Sequence, residues 1–382
     1  MAKHGQAQDI LFIHSPQLED YSYPEGNPFN LRRAGMVLEK ARSYGLLDGP
    51  HRRHLVPAPA PLARLEEFHH PRYLEALAAE GEGFSYEELG EMGLGTPDCP
   101  LFPGLLPSAA IAAGGTLAGA AEILARRARI AFNPSGGFHH AWPRRASGFC
   151  YVNDLVPAIR DLAAAGRRVL FLDIDVHHGD AVQFAFYDDP RVLTLSLHES
   201  GRNLFPGTGE VAEVGRGEGL GFSVNVPLPP GTYDLAYWKA FKEVVPPLVE
   251  AFAPDVIVLE IGMDALAGDP LAHLDMTNNI YADVIDRVLA FHRPILATGG
   301  GGYNLANTVR GWTLAWSVLC GEDDGAEMSM GLGGVMLESR DWQGGLRDRQ
   351  RFVHAQDRAA IDAAIDTTIA EVKRTIFPLH GL

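Results

Sequence analysis

The sequence is poor in cysteine. Cys99, Cys150 and Cys320 are the three present among 382 residues, and they form neither a C-x-x-C pair nor an even disulfide framework. That scarcity excludes a thiolate metal site and fits a reducing compartment. Any metal here must be held by carboxylates and imidazoles. Basic residues are also scarce: 32 Lys and Arg stand against 48 Asp and Glu, for a net charge of −16. A surface of that sign excludes a nucleic-acid interface, which needs cations against phosphates. A basic peptide partner stays compatible with it, although acidic surfaces mostly serve solubility. No apolar run is long enough to span a membrane. The start, MAKHGQAQDI, lacks an apolar signal-peptide core, so a cytoplasmic location is expected. Repeats and low-complexity segments are absent.

Glycine and proline, by contrast, are plentiful, at 42 and 26, which suggests many tight loops between short elements. Hydrophobic residues make up 46%, enough for a large core. The length allows two domains, although single α/β domains reach this size. Ile10–Ile13 reads as a first strand, and 31–44 as a helix burying Leu31, Met36, Leu38 and Ala41. A second helix is expected over 65–78 despite Pro71, with His69 and His70 as packing residues. Residues 81–107 read as one long loop holding Asp98, and 109–128 as an alanine-rich helix.

From there apolar strands alternate with Gly- or His-rich loops and helices. Strands are expected at 129–132, 169–172, 191–197, 256–259 and 295–298, and helices at 154–165, 237–253 and 280–291. Such alternation predicts an α/β fold with a mainly parallel central sheet. Open parallel sheets bind ligands outside the carboxyl ends of their strands, and the polar residues of this chain collect just there. At the far end, Ile361, Ile365, Ile369, Val372 and Ile376 follow helical spacing, as in a final helix packed on the body.

The densest run of metal-ligand side chains is RVLFLDIDVHHGD, Arg168–Asp180. Alternate residues of an extended chain share a face, which would point Asp173, Asp175 and His177 together. Taken alone, D-x-D-x-H reads equally well as a solvated loop. A catalytic zinc site needs three protein ligands and an open position. Asp175 and His177 supply two, and Asp264, in EIGMDALAGDP after a strand, is the best third; alone it is equally a helix cap or turn residue. Two carboxylates and one imidazole leave a divalent ion acidic enough to polarise a carbonyl and water. Proton transfer calls for imidazole, and GGFHHA offers His139 and His140, with Asp173 and Asp180 free to orient them. Tyr303, after four glycines, is placed to donate to a developing oxyanion. A phosphate loop is a poor alternative for GGGGYN, because no GK[ST] follows and G-x-G-x-x-G spacing is absent.

In order, GGFHHA, ASGFCYVND, LDIDVHHGDAVQ, LSLH, FPGTG, AGDPL and GGGGYN resemble the zinc-dependent histone deacetylase superfamily, with its three-layer α/β/α arginase/deacetylase fold. YPEGNPFNLRR and HESGRNLFPGTG look like the bacterial acetoin utilization deacetylases. The match implies a catalytic domain over 1–321 and leaves 322–382 as a C-terminal extension ending in a helix, packed on the same domain. It implies zinc ligands Asp175, His177 and Asp264, with iron(II) able to use the same set. It implies His140 as general base and then acid with Asp180 behind it, His139 paired with Asp173 as an electrostatic partner, and Tyr303 on the acetyl carbonyl. Phe149 and Phe205 would wall a narrow tunnel, with Gly148 beside Phe149 and Asp98 at the rim; Arg33 would line an inner cavity. A potassium site would involve Asp173, Asp175, His177 and Ser196. Leu271 stands where polyamine-hydrolysing relatives can carry an acidic residue, which favours acetyl-lysine in a protein or peptide. An acetylpolyamine amidohydrolase and a non-catalytic acyl-lysine binding module are the rivals. Departures are modest: Pro97 precedes Asp98 where an aromatic is common. His178 is left without a role, and the oligomeric state and physiological substrate without an assignment.

Overall fold

The structure, a computed structural model, describes residues 9–322 and 345–382. Among these are eight strands: β1 (Asp9–Ile13), β2 (Arg52–Leu55), β3 (Ala128–Asn133), β4 (Val169–Asp173), β5 (Val192–Glu199), β6 (Ser223–Leu228), β7 (Val256–Glu260) and β8 (Ile295–Thr298). They pair throughout in parallel, in the order β2-β1-β3-β8-β7-β4-β5-β6. Eleven α-helices accompany them: α1 (Arg33–Ser43), α2 (Leu62–Leu65), α3 (Pro71–Ala78), α4 (Tyr86–Glu91), α5 (Leu105–Leu124), α6 (Leu155–Ala164), α7 (Asp180–Ala185), α8 (Asp234–Phe252), α9 (Asn278–Leu289), α10 (Leu305–Leu319) and α11 (Ala355–Thr375).

The central strands are buried on both faces, and alternation sorts their side chains between two cores. Leu170, Leu172, Ile257 and Leu259 face one core, which α1, α8, α9, α10 and α11 cover. Val169, Phe171, Val256 and Val258 face the other, beneath α5 and α6. The result is a three-layer α/β/α sandwich around a single sheet. A third cluster, with Tyr23, Phe29, Phe102, Phe138, Phe149 and Tyr151, lies apart from these two and includes the half-buried Tyr303 and Leu271. It supports the functional site.

The expected strands are all present within two residues of their predicted ends. Two others, β2 and β6, have no strong sequence signal because both are sheet edges. Strand β2 is RRHL, and β6 carries Pro227, which an edge tolerates because one side needs no ladder donor. Pro71 does not sit inside a helix: it starts α3 after a break from α2, where its missing N–H costs nothing. The loop expected at 81–107 contains α4, held by a reciprocal capping box between Ser85 and Glu88. On α1, Leu38 and Ala41 are buried as expected, but Met36 is exposed and Val37 is buried in its place. Helix α11 buries Ile361, Ile365, Ile369 and Val372 against α8 and β6. Each such burial is worth about 1.5–3 kcal/mol, and Thr368 Oγ1 donates to Pro227 O at 3.1 Å across the covered edge. Much of the polar tail before α11, residues 323–344, lies outside the described residues. No helix among those described is long and apolar enough to cross a membrane.

Candidate active site and metal centre

Five strand ends converge. The loop after β3 carries His139 and His140, and the turn after β4 carries Asp175, His177 and Asp180. The loops after β5, β7 and β8 bring Phe205, Asp264 and Tyr303. The extended conformation stops at Asp173, so alternation does not carry on through the D-x-D-x-H run as predicted. Instead each carboxylate caps the turn: Asp175 N donates to Asp173 Oδ1 at 3.0 Å, and His177 N to Asp175 Oδ1 at 2.9 Å. Asp173 thereby holds the Asp175 backbone with one oxygen and presents the other to His139.

His177 Nδ1 lies 3.2 Å from Asp175 Oδ1 and 3.0 Å from Asp264 Oδ2. Donor atoms around a tetrahedral zinc, with bonds of about 2.0–2.1 Å, stand about 3.4 Å apart, so the three groups fit such an ion. Both carboxylates are fully buried. Burial and Asp175 push Asp264 up to about 7, against the pull of His177. His177 in turn is held up at about 10: burial opposes its charge, but Asp175 and Asp264 outweigh it. A cluster with this appetite for positive charge suits a divalent cation. Backbone fixes its geometry, since Gly301 N donates to Asp175 Oδ2 at 2.7 Å and Val176 N to Asp264 Oδ1 at 3.0 Å. A Cβ at position 301 would overlap Asp264 Oδ2. Gly301→Ala is therefore expected to weaken zinc binding about 10- to 100-fold, the scale on which shells that orient ligands act. Competition against a metal indicator would measure it, and unchanged affinity would refute the cradle.

The two histidines meet at their tips. His139 Nε2 and His140 Nε2 are 3.0 Å apart, while His139 Nδ1 faces Asp173 Oδ2 at 2.9 Å and His140 Nδ1 faces Asp180 Oδ1 at 2.8 Å. Burial, then the charge on His139, pulls His140 down to about 4 in spite of Asp180. His139 goes the other way: burial would lower it, but Glu260 and Asp173 hold it well above its usual range. The pair thus carries one positive charge at neutral pH, on His139, and leaves His140 neutral.

Glu260 is a residue that sequence reasoning missed. It ends β7, is fully buried, and places Oε1 3.1 Å from His139 Nδ1. Apart from that contact, neither of its oxygens has a hydrogen-bond partner among the described residues. Burial and Asp173 hold its carboxyl well above the usual range against the pull of His139. Its one signal was a carboxylate closing an apolar strand. Asp269 was also missed. Its Oδ2 accepts from Tyr303 N at 2.7 Å and its Oδ1 from Leu271 N at 3.0 Å, tying the AGDPL and GGGGYN loops together. His178 receives a place as well. Its Nδ1 pairs with Thr208 Oγ1 at 2.8 Å and its Nε2 with Gln183 Oε1 at 3.2 Å, which anchors the FPGTG loop behind Phe205.

These loops enclose a cavity of about 640 Å³ lined by His140, Gly148, Phe149, His177, Phe205 and Tyr303, with Asp98 and Leu271 also on its wall. The Tyr303 ring is 5.2 Å from Phe149 and 6.5 Å from His177, and burial beside Asp264 and Asp175 keeps its phenol protonated. Phe149 has φ 65°, a strained conformation for a bulky residue. A Cβ on Gly148 would come within 2.8 Å of both His140 and Phe205, so only glycine keeps the passage open. Arg33, expected on an inner cavity, is not among the residues that line this one. It is buried behind it, donating to Gly302 O at 2.8 Å and Gly300 O at 3.0 Å while its guanidinium lies over Phe29 and Trp312. Ser196 Oγ is engaged with His198 Nδ1 at 2.7 Å, and Asp173 pairs with Ser196 in the sheet.

The family model described as the histone deacetylase domain matches residues 27–319. The chain belongs to the histone deacetylase family. It is 39% identical over 329 residues to the acetoin utilization protein AcuC of Bacillus subtilis, covering 84% of both chains. It is 40% identical to histone deacetylase 8 of Xenopus tropicalis over 300 residues, 78% of this chain and 80% of the relative. Against histone deacetylase 3 of rice the identity is 37%, and the match spans 84% of this chain and 63% of that protein. Among solved structures, an HDAC homolog from Aquifex aeolicus superposes with a TM-score of 0.82 at 28% identity, covering 96% of this chain and all of that one. As a member, this chain is a deacetylase, a hydrolase of a family that depends on zinc.

Proposed function

We propose that the chain hydrolyses Nε-acetyl-lysine in proteins or peptides, releasing acetate and a free lysine. The observation that carries this reading is the single cavity onto which His140, His177, Tyr303, Phe149 and Phe205 all open. Asp175, His177 and Asp264 would hold zinc, or iron(II), whose ligands are of the same kind. When bound, the ion supplies Lewis-acid polarisation of the acetyl carbonyl and of water. Phe149 and Phe205 flank the lysine methylenes and exclude water, and Asp98 receives the substrate backbone at the rim. His140 takes a proton from the attacking water through Nε2, while Asp180 stabilises the imidazolium that forms. His139, already charged, adds a fixed positive charge beside the developing oxyanion. Tyr303 O–H donates to that oxyanion. His140 then returns the proton to the lysine nitrogen as the C–N bond breaks.

Leu271, apolar and half-buried at the mouth, supports an uncharged substrate stem over a polyamine. A potassium ion near Asp173, Asp175, His177 and Ser196 is proposed on the family resemblance, supported by the adjacency of β4 and β5. The name of the Bacillus relative, acetoin utilization protein, supports a role in acetoin metabolism, and a cytoplasmic location is proposed with it. Acetate release by the metal-loaded protein tests the reading. Acetyl-lysine peptides are expected to turn over at least about tenfold faster than acetylputrescine, and a chelator is expected to abolish turnover until zinc is restored. Equal or better use of acetylputrescine would shift the assignment to a polyamine hydrolase, and chelator-resistant turnover would sink the metal assignment.

A further inference from the structure

On the far side of Phe205 lies a second cavity of about 590 Å³. Trp142 and Pro143 form part of its wall, Phe205 and Pro206 another part, and Arg144 and Arg145 open onto it. Both arginines are exposed, and neither side chain pairs with a carboxylate among the described residues. Arg32, Arg129 and Arg293 are likewise exposed without an acid partner among the described residues, but they do not share a cavity wall. Arg127, Arg191 and Arg202, also exposed, each hold an acid within 3.0 Å. The acid on the wall of the second cavity is Asp180, and its charge is already engaged: Oδ1 faces His140 at 2.8 Å, and Oδ2 accepts from Trp142 Nε1 at 3.2 Å. The mouth of the first cavity carries Glu25 and Asp98 instead. Acid therefore marks one cavity and unpaired base the other, with Phe205 shared between them.

We propose that this second cavity is a subsite for a residue flanking the acetyl-lysine, and that it takes the acidic side chain of a peptide or protein substrate. The proposal rests on the acetyl-lysine reading above. A backbone whose lysine enters the tunnel runs over its rim, where Phe205 is 42% exposed and is shared with the second cavity. At about 3.3–3.6 Å per extended residue, side chains one to three positions away reach the Trp142 side. There the apolar walls cover methylenes, and the guanidinium forks suit a carboxylate.

The test is kcat/KM for acetyl-lysine peptides carrying Glu, Gln or Lys at each of three positions on either side of the modified lysine. The wild-type protein is expected to prefer Glu over Lys at one or two of these positions by about five- to tenfold, as two partly solvated pairs allow, and to lose the preference in high salt. The double variant R144E/R145E is expected to reverse the order at the same positions, and R144Q/R145Q to flatten it. Equal use of Glu and Lys at all six positions overturns the subsite, as does a preference that both variants retain. If no peptide is deacetylated at all, the acetyl-lysine reading itself fails, whereas turnover without charge preference removes the subsite alone.

Discussion

Replacing His140 with alanine is expected to lower kcat on an acetyl-lysine peptide by about 10²- to 10⁴-fold, the contribution of one positioned acid–base group. KM should change little, because His140 contacts the reacting centre and not the lysine stem. The size of the effect follows from its surroundings. Asp180 fixes the tautomer by accepting from Nδ1, so Nε2 carries the lone pair, and it meets His139 Nε2 at 3.0 Å on the wall of the cavity. Despite burial, the His140 imidazole keeps Asp180 below the ordinary carboxylate range, so it is charged whenever His140 needs it. His139 is a poor substitute. Two carboxyls lie within 3.1 Å of its Nδ1, and it is already protonated at neutral pH. His139→Ala should accordingly cost less than His140→Ala. Steady-state kinetics on variants with matched zinc content would check both, and wild-type turnover by the His140 variant would end the proposed mechanism.

How far the sequence alone reaches can be judged from particular residues. Asp175, His177, Asp264, His139, His140 and Tyr303 were legible as candidates because metal binding and proton transfer restrict residue type, and each follows a strand that hydrophobic patterning identifies. The structure brings all six to one place, together with Asp173 and Asp180 behind the histidines. What was not legible shares a physical cause. Glu260 looks like the polar end of a strand, and only the pairing of β7 with β4 places it against Asp173 and His139. Asp269 acts through backbone N–H groups 34 and 35 residues away, and no local pattern announces such a clamp. His178, beside His177 in sequence, faces the opposite way into the network of Thr208 and Gln183. Arg33 is bound to the carbonyls of the glycine run, 267 and 269 residues away. Partners that only tertiary pairing brings together escape a reading built on residue type and period.

Tyr303→Phe is the second large expected effect: kcat lower by about 10²- to 10³-fold, with KM and thermal midpoint close to wild type. One hydrogen-bond donor aimed at a developing oxyanion is worth about 2.7–4 kcal/mol of the barrier, and the hydroxyl is what the variant lacks. The backbone at this position does not depend on the hydroxyl. Asp269 holds Tyr303 N at 2.7 Å, and Arg33 pins the preceding carbonyls. The ring keeps its place against Phe149, because phenylalanine fills the same volume. The hydroxyl has no hydrogen-bonding partner among the described residues, so its removal leaves no orphaned group behind. Burial and the two carboxylates also keep the phenol from ionising, which reserves its proton for donation. The decisive readout is the split between kcat and KM. A purely structural tyrosine would lower the thermal midpoint and leave kcat of the folded fraction intact. An oxyanion donor loses kcat with the fold untouched, and wild-type kcat in the phenylalanine variant would remove Tyr303 from the reaction.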